Sequence, residues 1–345
     1  MQSHAIDGGV IVALRRLAAL DRRPGGEGEA AAARLLRTEL EHRGARAWIQ
    51  EARVRRTHRG SLGLLSAAAA LGSLGHRRTA IAAGVLAAAL AADEPGLGAG
   101  PQRGPLRGRT AHSVIAEPGH AAGPETLVVC AHHDAAPTAS GGGLGRARVR
   151  RLGGVLATAS AAAMANIAPG RTPPGAGDSL SAVGVLLALA DELVRRPTRR
   201  LRVLLLCAGS ESLPENLCGS HLRQLDPQRT TFLCLQSVGS QALTLVCAEG
   251  LLRARRYPRE PAAVLAKLAA EAGVPLQDAC RLSVATRGRV PLRAGYRTAV
   301  LCSLDARTAP AADRRPGDAI GRLQLDTMGG AARLAVALVR HLDGR

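Results

Sequence analysis

The chain has 345 residues, long enough for one large domain or two ordinary ones, and its 46% hydrophobic content allows a sizeable core. Aromatic residues make up only 1%, so the core must be built from Leu, Val and Ala, and a nucleic-acid platform of stacked aromatics is not expected. The net charge of +19 invites a nucleic-acid interpretation, but Lys267 is the only lysine and the arginines are scattered, as GC-rich coding produces. We therefore expect a solvated basic surface and no nucleic-acid partner.

The N-terminal region is predicted to run helix, Gly-rich turn, helix, strand. Asp7 and Arg15 interrupt any apolar stretch near the start, so the sequence shows no signal peptide and a cytoplasmic location is expected. Ala, Leu and Arg at helical spacing predict a helix from Glu29 to His42, which Gly44 ends. The alternating stretch "RAWIQEARV" that follows predicts an edge strand.

Three Ala-rich apolar runs interrupt the chain, at residues 61–75, 79–92 and 152–168. Each is shorter than the ~20 residues that cross a bilayer. They predict helical insertions into a single domain spanning 1–345. The first is an apolar hairpin at about 57–105, and the second is one helix at about 138–170. The alternative is membrane contact through 61–92 and 152–168.

From Thr126 onward, apolar strand candidates alternate with amphipathic helices. The strand candidates are "TLVVCA", "RVLLLCA", "TFLCLQ", "LTLVCA" and "TAVLCS", and the helices are "SAVGVLLALADELVRR", "PAAVLAKLAAEAG" and "DTMGGAARLAVALVRHL". Continuous apolar strands between helices predict an α/β sheet that is covered on both faces.

The seven cysteines form no CxxC pair, and Cys130, Cys207, Cys234 and Cys302 each lie in a strand-like apolar run. Buried free thiols that act as small hydrophobic residues explain these four best. That usage suits a reducing compartment.

Polar residues that follow the strand candidates are candidates for a metal site, because chemistry in such sheets collects at the carboxyl ends of strands. They are His132, His133, Asp134, Asp178, Ser210, Glu211, Ser212, Gln236, Asp305, Asp313, Arg314, Arg315 and Asp318. Zinc prefers His nitrogen and carboxylate oxygen. The tetrapeptide "GDSL" would make Ser179 a nucleophile. We do not favour this, because no apolar strand precedes it and no late Asp-x-x-His supplies a base.

The order of five stretches, "AHHD", "GAGDSLSAVG", "GSES", "LQSVG" and "DRRPGD", resembles the zinc aminopeptidase family, which includes glutaminyl cyclases and the transferrin-receptor ectodomain. "LAALDRRPGGEGEAAAARLL" and "VPLRAGYRTAVL" are similar to that family's opening helices and to its segment before the last strand. The resemblance spans most of the chain outside the apolar runs. It implies a mixed, mostly parallel central sheet with helices on both faces and a site for two zinc ions.

Carried over by this resemblance, His132 is a ligand of the first zinc, Asp134 fixes the tautomer of His132, and Asp178 bridges the two metals. Only one glutamate of the family's Glu-Glu pair remains, Glu211. If it matches the first glutamate, it is the general base and Ser212 replaces a zinc ligand.

If Glu211 matches the second glutamate, it is the ligand and Ser210 replaces the base; the order "AGSES" favours the first alignment. Two other losses are independent of that choice. Gln236 stands where the family has a zinc-binding Asp, and Arg314 stands where it has a zinc-binding His. A neutral amide is a poor zinc ligand, and a guanidinium cannot lose its proton to become one.

Without zinc, the carboxylates of Asp134, Asp178 and Glu211 would repel one another. We therefore hypothesise that an arginine–carboxylate cluster replaces the metal centre. Arg314 would approach Asp178, and Arg287 would help to balance the charge.

The sequence leaves three functional interpretations. The first is a family member that is inactive or severely weakened, with weak or absent zinc, kept for binding a peptide or protein ligand. The second is an active metallopeptidase that cleaves N-terminal peptide bonds with substitute ligands such as His133, Asp313 or Asp318. The third is a membrane-associated binding or scaffold protein.

Overall fold

A computed structural model describes residues 6–55, 108–119, 123–135, 174–209, 224–250, 254–282, 286–304 and 318–344. The three apolar runs lie outside these residues, as do the candidates in segments 210–223 and 305–317. The division of the chain into one domain with two insertions therefore stays a prediction.

The strands form one mixed sheet. They are β1 (Arg46–Arg55), β2 (Gly108–Glu117), β3 (Glu125–His132), β4 (Leu201–Ala208), β5 (Thr230–Gln236), β6 (Leu243–Glu249), β7 (Arg255–Arg256), β8 (Leu276–Leu282) and β9 (Arg297–Ser303). Their order is β1-β2-β4-β3-β5-β9-β6-β7, with β8 beside β6. The centre, β4-β3-β5-β9, is parallel, and antiparallel pairs flank it on both sides. The predicted fold class is thus confirmed, and β1 is the predicted edge strand.

The helices carry apolar faces that pack on the sheet. They are α1 (Gly8–Ala18), α2 (Glu27–His42), α3 (Ser181–Arg195), α4 (Arg259–Glu271), α5 (Arg289–Arg293) and α6 (Leu325–Asp343). A π-helical turn, Ala176–Leu180, precedes α3, and a 3₁₀ turn, Ile320–Arg322, precedes α6. Asp7 starts α1 by accepting the Val10 amide at 2.7 Å, which satisfies one of the free N–H groups of the first turn.

Alternation along the strands divides the core in two. Leu127 and Val129 of β3 face the core that includes α1, α2, α3, α4 and α6, whereas Val128 and Cys130 face a second core with Phe232 and part of α5. Helices therefore lie on both faces, with the longer ones on one face of the described structure. Among the described residues, Cys130, Cys207, Cys234 and Cys302 are buried, as predicted, whereas Cys247 of β6 is exposed.

Both predicted insertions connect to the sheet at the end where the carboxyl termini of β3 and β4 lie. β1 and β2 remain paired up to Arg55 and Gly108, and the start of β2 extends past the end of β4. The second insertion leaves after Ala135 and returns at Pro174. Its ends are close, since a β-carbon on Gly175 would lie 3.3 Å from Cβ of Ala135. No helix in the described part of the chain is long and apolar enough to cross a membrane.

Candidate active site

His132 and Asp134 form the centre of the site, at the carboxyl end of β3. Nδ1 of His132 lies 3.0 Å from Oδ1 of Asp134, and both side chains are buried. Because a carboxylate only accepts, Nδ1 carries a proton, which leaves Nε2 as the ring atom that could ligate a metal. In the described part of the chain this buried Nε2 has no hydrogen-bond partner.

Arg287 also contacts the carboxylate of Asp134. Its Nη2 lies 3.0 Å from Oδ1 and 3.3 Å from Oδ2 of the carboxylate. Burial alone would raise the pKa of Asp134, but Arg287, followed by His132 and His133, holds this pKa well below its ordinary value. Asp134 is therefore a carboxylate at neutral pH with a guanidinium as its counter-ion. This contact supplies the role that the sequence analysis suggested for Arg287.

Asp178 lies in the π-helical turn, a distortion that often accompanies functional sites. The backbone amides of Gly177 and Asp178 donate to the two carboxylate oxygens of Asp318, at 2.5 and 3.0 Å. The amide of Ser237 donates to the Asp178 carbonyl at 3.1 Å. These contacts fix the backbone of Asp178 at the ends of β3 and β5, where the resemblance requires a bridging carboxylate.

Gln236 is the last residue of β5; the pairing of β3 with β5 ends at Cys130 and Cys234, and two residues further in the same register bring Gln236 level with His132. Its Oε1 is buried and has no hydrogen-bond partner in the described ranges. Ser237, the next residue, takes a left-handed backbone conformation with φ of 52°, which turns the chain at this point. The position where the family has a carboxylate thus presents a neutral amide beside His132.

Arg22 is a site residue that the sequence analysis missed. It follows α1 and is completely buried. Its guanidinium donates to the His133 carbonyl at 2.5 Å, to Oγ of Ser179 at 3.0 Å, and to the Pro174 carbonyl. It therefore ties together β3, the π-helical turn and the two ends of the second insertion.

Arg22 also supplies positive charge to the site. Burial lowers its pKa to about 10, against the opposing attraction of Asp134 first and then of Cys207, Asp178 and Asp318. The guanidinium therefore stays charged at neutral pH. In the sequence, nothing local distinguishes Arg22 from the other arginines. Only its place in the fold reveals its role.

His133 points away from its neighbour His132, because successive strand residues face opposite sides. Its Nδ1 lies 3.5 Å from Sγ of Cys207, and its Nε2 lies 3.9 Å from Oε1 of Glu29. Burial lowers its pKa to about 3, so the ring is neutral. His133 is therefore poorly placed to substitute for a ligand on the His132 side.

Ser179 does not have the surroundings of a nucleophile. It is fully buried, its hydroxyl donates to the Gly175 carbonyl at 3.0 Å, and it accepts from Arg22. No base contacts it in the described residues. The "GDSL" tetrapeptide therefore belongs to the turn that carries Asp178.

The described residues fit the family's zinc site only in part. His132 and Asp178 retain ligand chemistry, but within the described ranges no three His, Cys, Asp or Glu side chains are grouped to hold a metal. Asp318 uses both oxygens on the turn. The remaining candidates, Glu211, Ser212, Asp313 and Arg314, lie outside the described residues, so contact between Arg314 and Asp178 stays a prediction.

Comparison with known proteins agrees with this geometry. Residues 113–236 match the model of peptidase family M28. The match includes His132, Asp134, Asp178 and Gln236. No curated protein matches the chain significantly.

Solved structures share the whole fold. A Zn-dependent exopeptidase from Parabacteroides distasonis is 13% identical with a TM-score of 0.61, and the match covers 96% of each chain. Glutaminyl cyclase from Porphyromonas gingivalis is 12% identical with a TM-score of 0.63 over 97% of each chain. The zinc aminopeptidase BSAP from Bacillus subtilis is 14% identical with a TM-score of 0.61, over 96% of this chain and 94% of its own. The resemblance predicted from the sequence is thereby confirmed.

Proposed function

We propose that this chain, a zinc-exopeptidase-like protein whose residues 113–236 match peptidase family M28, binds zinc weakly or not at all. Its aminopeptidase activity would then be absent or severely weakened, and the site would serve to bind a peptide or protein ligand. The observation that carries this proposal is the ion pair of Arg287 with Asp134, behind His132.

The ion pair of Arg287 with Asp134 weakens His132 as a metal ligand, because it acts on the carboxylate that His132 contacts. A carboxylate behind a ligating histidine raises the basicity of the ring and favours the metal. In this chain Arg287 shares that carboxylate, so part of the negative charge of Asp134 is already neutralised. A fixed cation in a buried site also opposes the arrival of Zn²⁺, since charges interact strongly where water is excluded.

Two guanidinium groups also offset part of the carboxylate charge of the described site without a metal. Arg22 lies within the electrostatic reach of Asp134, Asp178 and Asp318, and Arg287 contacts Asp134 directly. Buried carboxylates that would repel one another thus have guanidinium counter-ions. This arrangement supports the arginine–carboxylate cluster proposed from the sequence and adds Arg22 to it, while the contact of Arg314 with Asp178 stays a prediction.

Arg287→Ala is the direct test, and we expect it to tighten zinc binding. The expected gain is about 10- to 100-fold, the range over which groups behind a ligand change metal affinity. Competition titration with a chelating dye measures the dissociation constant. Arg202→Ala is the matched control, because it removes an arginine–carboxylate pair with Glu117 near the opposite end of β4. Equal zinc affinity of Arg287→Ala and the unmodified chain would refute the proposal.

One observation favours a second candidate function, which is contact with a lipid surface. Both segments that carry the apolar runs begin and end at the sheet edge that holds the site. Basic residues flank the first run, and the chain has a net charge of +19. We propose that this edge approaches anionic lipid, with the runs at 61–92 and 152–168 in contact with it.

Vesicle flotation tests the lipid contact. Since Arg55 and Gly108 are paired, residues 56–107 can be replaced by a two-residue Asn-Gly turn that keeps the β1–β2 register. The full chain should float with anionic vesicles and much less with zwitterionic ones, and the shortened chain should lose most of this binding. Recovery of the full chain in the vesicle-free fraction would contradict the contact.

A further inference from the structure

Glu249 holds the turn that presents Arg287. It is the last residue of β6 and is fully buried. Its Oε2 accepts the backbone amide of Thr286 at 2.8 Å. Thr286 is the residue immediately before Arg287, so a buried carboxylate fixes the backbone from which this guanidinium extends.

The rest of the turn is held equally closely. Oγ1 of Thr286 lies 3.0 Å from the Tyr257 hydroxyl and accepts the Gly288 amide at 3.2 Å. A β-carbon on Gly288 would lie only 2.2 Å from Cγ2 of Val300, so this backbone is pressed against β9. The residues on both sides of Arg287 are therefore fixed, and only its side chain reaches toward Asp134.

Fixing this turn matters energetically, because a long arginine side chain loses much rotamer freedom when it forms an ion pair. An anchored backbone adds no further cost of ordering the turn when this ion pair forms.

We propose that Glu249 is a positioning residue, which anchors the Thr286–Gly288 turn so that Arg287 meets Asp134. This deepens the proposed function and rests on it, since it identifies what keeps the guanidinium at the site. Glu249 itself touches neither His132 nor Asp134 in the described contacts.

The environment of Glu249 agrees with an anchor. Burial raises its pKa, the bonds to Thr286 and then Tyr257 oppose the rise, and the charge of the buried Arg289 opposes it as well. Its second oxygen, Oε1, is buried without a hydrogen-bond partner in the described ranges. The carboxyl group of Glu249 therefore contacts the turn through its other oxygen, Oε2.

Three substitutions at Glu249 test whether this residue positions Arg287 or only fills space in the core. Glu249→Ala removes the acceptor, and Glu249→Asp keeps the charge but withdraws it from the Thr286 amide. Glu249→Gln keeps an acceptor oxygen at the same length. The first readout is the ¹³C carboxyl resonance of Asp134 in metal-free protein at constant pH, assigned by its loss in Asp134→Asn. The second readout is zinc affinity.

We expect the Ala and Asp variants to move the Asp134 resonance in the direction that Arg287→Ala moves it, and the Gln variant to stay near the unmodified chain. Zinc affinity should rise toward the ~10- to 100-fold gain of Arg287→Ala. Glu249→Ala combined with Arg287→Ala should add nothing further, because the two residues act through one contact.

The two readouts test the positioning role and the proposed function separately. If the Asp134 resonance moves as expected while zinc affinity does not change, the positioning role stands and the proposed function fails. If Glu249→Ala and Glu249→Asp leave the Asp134 resonance in place, or if Glu249→Gln moves it as far as they do, the positioning role is overturned. Additive zinc effects in the double variant would overturn it as well.

Discussion

Replacing Arg22 with alanine is expected to destabilise the fold by about 3–5 kcal/mol, the cost of removing one partner from a buried charged network. The substitution leaves the carbonyls of His133 and Pro174 and the hydroxyl of Ser179 without this donor. It also removes a cation that lies near the site's carboxylates. Denaturant unfolding followed by circular dichroism measures the loss.

The adjacent residue is the matched control. Arg23 pairs with Asp21 at 3.1 Å on the surface, and Arg23→Ala should change stability by no more than about 0.5 kcal/mol. Arg22→Lys should recover little, because an ammonium cannot reproduce the planar fork of a guanidinium. A loss in Arg22→Ala as small as that in Arg23→Ala would show that Arg22 does not hold the site together.

The second large effect is expected in the variant Gln236→Asp/Arg287→Asp, which should bind zinc about 100-fold more tightly than the unmodified chain or better. The first change places a carboxylate beside His132, where Oε1 of Gln236 is buried without a partner in the described ranges. The second change removes the cation from Asp134. The expected gain in zinc affinity is the upper end of the range seen when residues that contact a metal ligand are changed. The new carboxylate adds a ligand of its own to that gain.

Isothermal titration with zinc measures this gain, and Arg202→Asp controls for the charge reversal in Arg287→Asp, since Arg202 lies near the other end of β4. The unmodified chain and Arg202→Asp should behave alike. If the double variant binds zinc no better than they do, the proposal that Gln236 and Arg287 weaken zinc binding fails.

Continuous burial explains which strands the sequence predicts. β3, β4, β5, β6 and β9 read as apolar runs because both of their faces are covered. β2 escapes this pattern, since His112 and Ser113 interrupt it. Ser113 is nevertheless buried, where its hydroxyl accepts the Gly209 amide at 3.1 Å. The burial of a polar residue that has a hydrogen-bond partner far along the chain cannot be predicted from the local sequence.

The site was predictable where its residues are close in sequence or match a motif. The contact of His132 with Asp134 follows from alternation at a strand end. Arg22 and Glu249 escaped prediction because their partners lie far along the chain: Arg22 meets His133, and Glu249 meets Thr286. Such contacts depend on the assembled sheet, and composition or local spacing carries no sign of them.

The most direct test of the central claim is the zinc content of the unmodified chain, purified without chelator and dialysed against trace zinc, measured by elemental analysis. We expect near-zero bound zinc and no zinc-dependent release of N-terminal amino acids. One or two zinc ions per chain would contradict the account. The free Nε2 of His132 would then be a working ligand, and the chain would be an active metallopeptidase with substitute ligands.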